Sequence, residues 1–539
     1  MAGADKGLDC VKRYVVEPVT LPWAMPGGLK NFPCRDLVLV SGQASGVKGA
    51  LMAALTAENF RVREVVWGKT TGRTGGNCFE VAVSPQKFSH GELNHLVCRS
   101  GERVGAIIHL EGAGEPEKQD SQARRNTLGF FTLLKAFEKD LVKSAQEGGG
   151  RVFAVTFLGG CYGFTASHDF FPESAGVLGV TKSMAMEYPL LRCRCIDVDP
   201  AMGAALVAAK IWEEIQADEP SAETGLDRQG RWKVGLREDP GPCAGPAIGP
   251  KSVILLLGGA SGITQVIACA LARKYKPVLI LAGRTPLSAK ISIEMDNLPN
   301  AADLKSHFIK LAKIKKKKTM PAEIDQRIAD VLKNRRLRAN LEELKAAGAR
   351  VEYHALDVRD EAVLGDFIEN IYQRYKQIDG VVHGAGIIAD QRIRDKSNAS
   401  FCAVYDTKII PARILEKKLR PSGLKFMVFF SSVAARFGNA GQSDYAAANE
   451  VLNKLAHKLA KKWPRTRVVS IGWGPWDAGM VNSGLKTFYE KKGIGLIPPA
   501  AGAQLFLNEL GTDGHLCPEI VITSAMKLIS GKGLGQAPI

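Results

Sequence analysis

The sequence contains no long hydrophobic run and no metal-binding cysteine pattern. No apolar stretch reaches the roughly 18 residues that a membrane-spanning helix needs, and the opening MAGADKGLDCVKRY has no signal-peptide core. The 11 cysteines include no C-x-x-C pair, so the convergent thiolates that zinc requires are not predicted. We therefore expect a cytoplasmic protein with free thiols, no membrane segment and no metal.

Acidic residues are fewer than basic ones: 72 Lys and Arg against 55 Asp and Glu give a formal net charge of +17. Nucleic-acid binding would suit this charge, but no recognition motif accompanies it, and we do not predict such a partner. A positive field equally suits a phosphate-rich cofactor or an acidic protein partner. Much of the excess lies in Lys305–Arg338, which contains the run Lys315–Lys318, and such a run is usually a solvated face.

The two halves of the sequence repeat one plan. LVLVSGQASGV at Leu37–Val47 returns as ILLLGGASGI at Ile254–Ile263, and AIIHLEGAG, ending at Gly114, is matched by GVVHGAG, ending at Gly386. In each half, short Val/Ile/Leu runs alternate with helical patterns, which indicates a parallel sheet built from βαβ units. The sequence therefore predicts an α/β protein with two tandem Rossmann-like, doubly wound parallel sheets.

Composition places the boundaries of the two halves. We expect one domain at 1–240, a Pro/Gly-rich linker at 241–250 and a second domain at 251–539. The second half also carries an insertion at about 287–349, where Glu, Lys, Leu, Arg and Ala dominate. This composition predicts two helices with a basic hinge at Pro321.

The second half begins with a dinucleotide-binding pattern. In KSVILLLGGASGIT a strand leads into a glycine turn and then a helix, so the backbone can approach a pyrophosphate at a helix N-terminus, where free N–H groups favour negative charge. Glycine turns also join strands to helices without any ligand, so this pattern needs support from its context. The residues predicted to line the turn are Gly258, Ser261, Gly262 and Ile263.

Three later strand ends supply that context. Arg284 follows the next strand, where an acidic residue would suit the ribose of NAD and an arginine suits the 2′-phosphate of NADP. Asp357 and Val358 follow a third strand, where an Asp can meet the adenine amino group. Gly384, Ala385 and Gly386 follow a fourth. Because ligands bind at the carboxyl ends of such strands, we predict NADPH as cofactor.

A set of four polar residues at fixed spacing completes the pattern. Ser432 precedes Tyr445 by 13 residues, Asn449 follows Tyr445 by 4, and Lys408 precedes Ser432 by 24. With this set the chain resembles the short-chain dehydrogenase superfamily, and specifically the ketoreductase domains of modular polyketide and polyunsaturated fatty acid synthases. Ordinary members of that superfamily read Tyr-x-x-x-Lys, whereas synthase ketoreductases have Asn four residues after Tyr and the lysine upstream. IGWGPWDAGM, starting at Ile471, is similar to their IxWGPW segment.

The resemblance, which covers nearly the whole chain, implies NADPH-dependent reduction of a β-ketoacyl thioester to the 3-hydroxyacyl thioester. Tyr445 would supply the proton, Lys408 would lower the pKa of Tyr445 and bind the nicotinamide ribose, Ser432 would hydrogen-bond the substrate carbonyl, and Asn449 would hold a water. The substrate would arrive on the phosphopantetheine arm of an acyl carrier protein, beside other synthase domains.

The resemblance also implies that the first half is a truncated, non-catalytic structural subdomain. Phe170 falls opposite Tyr445 and Ser174 opposite Asn449, and a phenyl ring cannot donate a proton. For stereochemistry, Asp390 stands where the family has an Asp that goes with the D product. Phe437 stands where a Trp goes with the L product, so we expect the D product.

Three other functions remain open at this point. A general short-chain reductase of free ketones is disfavoured by Tyr-x-x-x-Asn, and a redox-inactive scaffold or carrier-binding module is disfavoured by the intact residue set. Nucleic-acid binding would rest on charge alone.

Overall fold

The computed structural model describes most of the chain. The described residues are 11–23, 36–42, 45–68, 70–82, 90–111, 119–165, 169–217, 221–242, 245–258, 260–287, 298–314, 320–478, 483–491, 494–511 and 516–524. The run Lys315–Lys318 lies outside them.

The first unit is an α/β layer structure. Its strands are β1 (Val11–Leu21), β2 (Leu37–Gly42), β3 (Val62–Gly68), β4 (Gly72–Gly75), β5 (Cys78–Ala82), β6 (Val104–Leu110), β7 (Arg151–Thr156), β8 (Arg192–Val198), β9 (Glu223–Leu226) and β10 (Arg231–Glu238). Its helices are α1 (Ser45–Ala57), α2 (His90–Val97), α3 (Gln119–Ala136), α4 (Glu138–Gln146), α5 (Gly176–Glu187) and α6 (Ala204–Gln216).

The second unit repeats this alternation. Its strands are β11 (Val253–Leu257), β12 (Val278–Gly283), β13 (Arg350–Ala355), β14 (Gly380–His383), β15 (Phe426–Ser432), β16 (Arg467–Trp473) and β17 (Glu519–Ser524). Its helices are α7 (Gly262–Tyr275), α8 (Ala301–Ile314), α9 (Pro321–Ala346), α10 (Glu361–Tyr375), α11 (Asn398–Lys418), α12 (Val433–Phe437), α13 (Ser443–Lys462), α14 (Ser483–Lys491) and α15 (Pro499–Glu509).

The two sheets have the same strand order. The first reads β5-β3-β2-β6-β7-β8-β9 and the second β13-β12-β11-β14-β15-β16-β17, with every neighbouring pair parallel. This is a doubly wound plan, because β2 and β11 lie inside their sheets and the chain winds outward in both directions. The units differ between their second and third strands: residues 70–77 hold only the short strand β4, whereas the second unit has α8 and α9 there.

Two antiparallel strands join the units into one continuous sheet. β10 pairs with both β9 and β1, and β1 pairs with β17, so β1 is hydrogen-bonded to the second unit although it belongs to the first by sequence. The pairing of β1 with a strand about five hundred residues away is not encoded in any local pattern, and only the folded chain reveals it.

Helices of both units pack face to face beside this sheet. Phe131 of α3 and Phe401 of α11 lie with their ring centroids 4.6 Å apart. A Cβ on Gly179 of α5 would lie 2.4 Å from the backbone of Ala446 and Ala447 in α13, so only glycine permits this approach of α5 to α13.

A buried ion-pair network crosses the same boundary. Lys182 of α5 lies 3.4 Å from Glu450 of α13, which lies 3.5 Å from Lys454, and Lys454 lies 2.8 Å from Glu519 of β17. Each of these residues is buried. Since an unpaired charge in such a place costs several kcal/mol, about 3–5 on removal of one partner, the network fixes how the units dock.

The segment between β12 and β13 contains a helix pair. Pro321 occupies the first turn of α9, where its missing N–H costs nothing. The N-terminal half of α9 packs with α8 in a small cluster, and its C-terminal half, from Leu337, joins the core of the second unit. Among the described residues no helix is long and apolar enough to cross a membrane, and no three His, Cys, Asp or Glu side chains are grouped to hold a metal ion.

Candidate active site

The predicted cofactor-binding residues follow the carboxyl ends of β11, β12, β13 and β14, and Ser432 ends β15. Gly258 follows β11 with φ of +119°, and a Cβ there would lie 2.8 Å from the carbonyl carbon of Gly384 after β14. Gly262, with φ of +61°, opens α7. Ser261 precedes that helix, and its side chain makes no capping hydrogen bond; the first N–H groups of a helix lack intrahelical acceptors and suit an anion.

The glycines after β14 keep the space in front of this turn free. A Cβ on Gly384 would lie 2.6 Å from Thr264 Oγ1, and a Cβ on Gly386 would lie 3.1 Å from Lys408 Cε. Ala385 between them is buried, and Ile263 is half-buried at the start of α7. This cradle, which side chains would fill, fits the pyrophosphate of a dinucleotide.

The predicted adenine side of the site has a second arginine besides Arg284. Arg284 is exposed just beyond β12, and Val358 is buried after β13. Asp357 accepts hydrogen bonds from Arg359, at 3.0 Å from Nε and 2.6 Å from Nη2, and these bonds lower the pKa of Asp357, helped by Arg284. Arg359 was not singled out by sequence reasoning, although it stands only two residues from Asp357.

Tyr445 and Ser432 meet at the start of two helices. Ser432 ends β15 and caps α12, where its Oγ accepts the Ala434 N–H at 3.2 Å, leaving the hydroxyl proton to donate. Tyr445 lies in the first turn of α13. Burial raises the pKa of Tyr445, while hydrogen bonding to Asn449 and Ser432 lowers it and the charge of Asp390 raises it.

Lys408 lies on the buried face of α11. Its Nζ donates to the carbonyl of Phe430 at 2.7 Å and lies 5.5 Å from the centroid of the Tyr445 ring, and His383 Nε2 lies 2.8 Å from its backbone oxygen. Burial lowers the pKa of Lys408 to about 7. The family resemblance implies a cationic Lys408 that lowers the pKa of Tyr445; burial acts against this, because it disfavours the charged form of each group, lowering the pKa of Lys408 and raising that of Tyr445.

Asn449 follows Tyr445 by one helical turn. Its Nδ2 donates to the Tyr445 carbonyl at 2.8 Å, and its own carbonyl accepts from Ser431 Oγ at 3.2 Å. Its Oδ1 is buried and accepts no hydrogen bond from the described part of the chain. A buried amide oxygen in this state suits an ordered water.

The two residues assigned to stereochemistry lie in different surroundings. Asp390 is exposed, and its two oxygens accept from Gln442 Nε2 at 3.1 and 3.0 Å. Gln442, which sequence reasoning missed, thereby ties the loop after β14 to the turn before Tyr445. Phe437 packs instead among apolar residues that include Tyr14 and Val16 of β1.

At two positions that match the proposed cofactor site of the second unit, the first unit has large side chains. Lys48, at the place of Thr264, donates to the carbonyl of Gly42 at 3.0 Å within the glycine turn. The strand registers place Trp67 at the position of Arg284, and its ring is buried.

At the positions opposite Tyr445 and Asn449, the first unit has a buried phenylalanine and a buried serine. Phe170 lies in an apolar cluster with Tyr162. Ser174 donates to the carbonyl of Phe171 at 2.7 Å.

A doubly wound sheet with a glycine cradle, a half-buried Tyr445 and Ser432 and a buried Lys408 at its carboxyl edge is typical of an α/β oxidoreductase of the dinucleotide-binding class. Comparison with known proteins narrows this class. Residues 252–478 match the model of the KR domain family. Over these residues the chain belongs to the KR domain family, the ketoreductase domain of modular synthases.

The chain is 30% identical over 441 residues to a polyunsaturated fatty acid synthase subunit of Thraustochytrium sp.. The alignment covers 79% of this chain and 15% of that protein. It is 32% identical over 194 residues to erythronolide synthase EryA2 of Saccharopolyspora erythraea, covering 36% and 5%. The chain thus spans a small part of these relatives.

Solved structures share the fold over both units. An N-terminal ketoreductase from the macrolactin assembly line matches with a TM-score of 0.73 at 19% identity, covering 97% of this chain and 93% of that one. A ketoreductase domain from the bacillaene assembly line matches with a TM-score of 0.63 at 20% identity, covering 96% and 98%.

Proposed function

We propose that this chain catalyses the NADPH-dependent reduction of a β-ketoacyl thioester, presented on an acyl carrier protein within a multidomain synthase, to the 3-hydroxyacyl thioester. The observation that carries the proposal is the meeting of Lys408, Ser432, Tyr445 and Asn449 beside the glycine cradle. These four residues lie at one edge of the sheet. They come from three elements and span 41 positions, from Lys408 to Asn449.

The chain's own residues divide the work of the reduction. NADPH, when bound, supplies the hydride that adds to the ketone carbon. The Ser432 hydroxyl donates a hydrogen bond to the ketone oxygen, which orients it and stabilises the developing negative charge. The Tyr445 hydroxyl gives its proton to that oxygen, and the Lys408 ammonium restores the proton to Tyr445. Asn449 Oδ1 holds a water that returns a proton to Lys408.

The first unit is proposed to be catalytically silent. Lys48 and Trp67 stand at the positions that match Thr264 and Arg284 of the second unit, and Phe170 has no proton to give. Asp390 lies beside the turn of Tyr445 and position 437 carries Phe rather than Trp, and both features support a D-configured product.

The proposal is tested by following NADPH absorbance with a β-ketoacyl thioester, offered both as a small soluble thioester and on an acyl carrier protein. We expect NADPH consumption with both, faster with the carrier, and a 3-hydroxyacyl product of one configuration. Failure to consume NADPH with either substrate would contradict the proposal and favour the redox-inactive scaffold.

Arg284→Ala is expected to weaken the use of NADPH but not of NADH. A charge-assisted bond to the 2′-phosphate contributes about 1.5–3 kcal/mol, or roughly 10–100-fold in KM. The measurement is kcat/KM for both cofactors. Arg273→Ala is the matched control, because that exposed arginine of α7 pairs with Glu343 at 3.0 Å. Equal losses with NADPH and NADH in the Arg284 variant would contradict a role in phosphate recognition.

A further inference from the structure

A carboxylate of the first unit reaches the catalytic unit beside its active site. Glu187, the last residue of α5, is buried, with 7% of its surface exposed. Its carboxylate accepts the backbone N–H of Ile393 at 2.9 and 3.2 Å and the backbone N–H of Gly441 at 3.0 Å. Ile393 lies three residues after Asp390, and Gly441 lies four residues before Tyr445. One side chain thus holds two loops that flank the proposed active site.

The two loops also contact each other directly. The Gln391 N–H donates to the Gly441 carbonyl at 3.0 Å, beside the bond between Gln442 and Asp390. Gly441 has φ of +82°, so the turn that receives Glu187 depends on a glycine.

A buried lysine continues the connection to Tyr445. Lys396 Nζ donates to the Ala389 carbonyl at 2.6 Å and to Asp444 Oδ2 at 2.7 Å, and Asp444 Oδ1 accepts the Tyr445 N–H at 2.8 Å. Lys396 is fully buried. The segment 389–396, which we call the substrate loop, is therefore attached to the first turn of α13 at several points.

A second side chain of the first unit holds the far end of the substrate loop. Lys135 of α3 donates from Nζ to the Lys396 carbonyl at 2.6 Å. Glu187 and Lys135 act on the backbone of the loop rather than on its side chains. The first unit therefore sets the loop's position whatever side chains the loop carries.

We propose that Glu187 is a positioning residue of the silent unit that fixes the substrate loop relative to Tyr445, and so controls the affinity for substrate and the stereochemical fidelity of reduction. The inference rests on the proposed function. A carboxylate bound to two N–H groups holds them more strongly than a neutral acceptor. When the Glu187 carboxylate is lost, Asp390 and the acyl chain are no longer held at one position over the Tyr445 hydroxyl.

The test compares Glu187→Gln with Glu214→Gln. Glu214 is an equally buried carboxylate of the first unit, but it binds Arg194 at 2.7 Å and Arg231, both within that unit. We expect Glu187→Gln to raise KM and increase the proportion of the minor product configuration by about tenfold, the effect of one charge-assisted bond. Glu214→Gln is expected to lower Tm while KM and the product ratio stay at the wild-type values. An unchanged product ratio and KM in folded Glu187→Gln overturn the inference.

Two further measurements keep the outcome decisive. Lys135→Met removes only the contact with the far end of the substrate loop and should shift KM and the product ratio in the same direction as Glu187→Gln, by a smaller factor.

Hydrogen–deuterium exchange of residues 389–396 and 439–445 should be faster in Glu187→Gln than in the wild type, and unchanged in Glu214→Gln. Hydrogen–deuterium exchange needs no turnover. If the wild-type chain reduced no substrate, the proposed function would be refuted, and the exchange measurement would still test the role of Glu187. Equal exchange in both variants would refute that role.

Discussion

Tyr445→Phe is expected to abolish nearly all reduction while the fold and cofactor binding are retained. General acid catalysis contributes about 10²–10⁴-fold, and the phenyl ring keeps the packing of α13 but has no proton to give. The measurement is single-turnover NADPH consumption with a β-ketoacyl thioester, together with the dissociation constant of NADPH from fluorescence. That constant should change little.

The matched control for this variant is Tyr375→Phe. Tyr375 ends α10, away from the four proposed catalytic residues, where its hydroxyl donates to Glu352. We expect this variant to reduce the substrate at the wild-type rate. If Tyr445→Phe retained more than a tenth of the wild-type rate, Tyr445 could not be the proton donor.

Lys408→Met is expected to inactivate the enzyme and at the same time to stabilise the fold. Burial lowers the pKa of Lys408 from 10.5 to about 7, and each pKa unit corresponds to about 1.4 kcal/mol. Below about pH 7 the folded state carries this charge at a cost on the order of 5 kcal/mol. Loss of the donor to Phe430 offsets about 1–3 kcal/mol of the gain, which leaves a net stabilisation of about 2–4 kcal/mol.

The sign of the pH dependence gives a second check on Lys408. Because its folded-state pKa is lowered, the unfolded chain binds the extra proton between about pH 7 and 10.5, and the destabilising contribution of Lys408 to the wild-type fold falls as pH rises across that window. The advantage of Lys408→Met in the free energy of unfolding, measured with denaturant, should shrink from about pH 6 to about pH 9. If Lys408→Met were less stable than wild type at about pH 6, the proposal that the buried charge of Lys408 destabilises the fold would be wrong.

Lys454→Met is the matched control for the Lys408 variant. Lys454 is equally buried, but Glu519 lies 2.8 Å away and Glu450 3.5 Å away, and these charges raise its pKa against the effect of burial. Removing it takes the shared lysine from two buried carboxylates, leaving Glu450 with Lys182 at 3.4 Å and Glu519 with His457 at 3.1 Å. We therefore expect a loss of about 3–5 kcal/mol, opposite in sign to the effect at Lys408.

Much of the candidate site could be predicted because it depends on local features of the chain. Gly258 and Gly262 have positive φ, which side chains disfavour, so glycine at those positions reveals the turn from the sequence alone. Tyr445 and Asn449 are four residues apart and share a helix face for the same local reason. The order of strands and helices follows from residue periodicity, and the repeat of that order indicated two units of one design.

The remaining features depend on contacts between segments far apart in sequence. Arg359 next to Asp357 could have been found, but nothing near Glu187 indicates that its carboxylate binds Ile393 and Gly441, more than two hundred residues away. The pairing of β1 with β17 likewise joins segments from opposite ends of the sequence, and no local pattern indicates it.

The sequence by itself determined the class of fold, the glycine cradle and the identity of the four polar residues at its edge, because backbone conformation, periodicity and spacing are properties of neighbouring residues. Only the tertiary structure decided the charge states and the couplings. Burial, which lowers the pKa of Lys408 and raises that of Tyr445, is a property of everything packed around a group. For the same reason, only the folded chain shows the silent unit holding the substrate loop through Glu187.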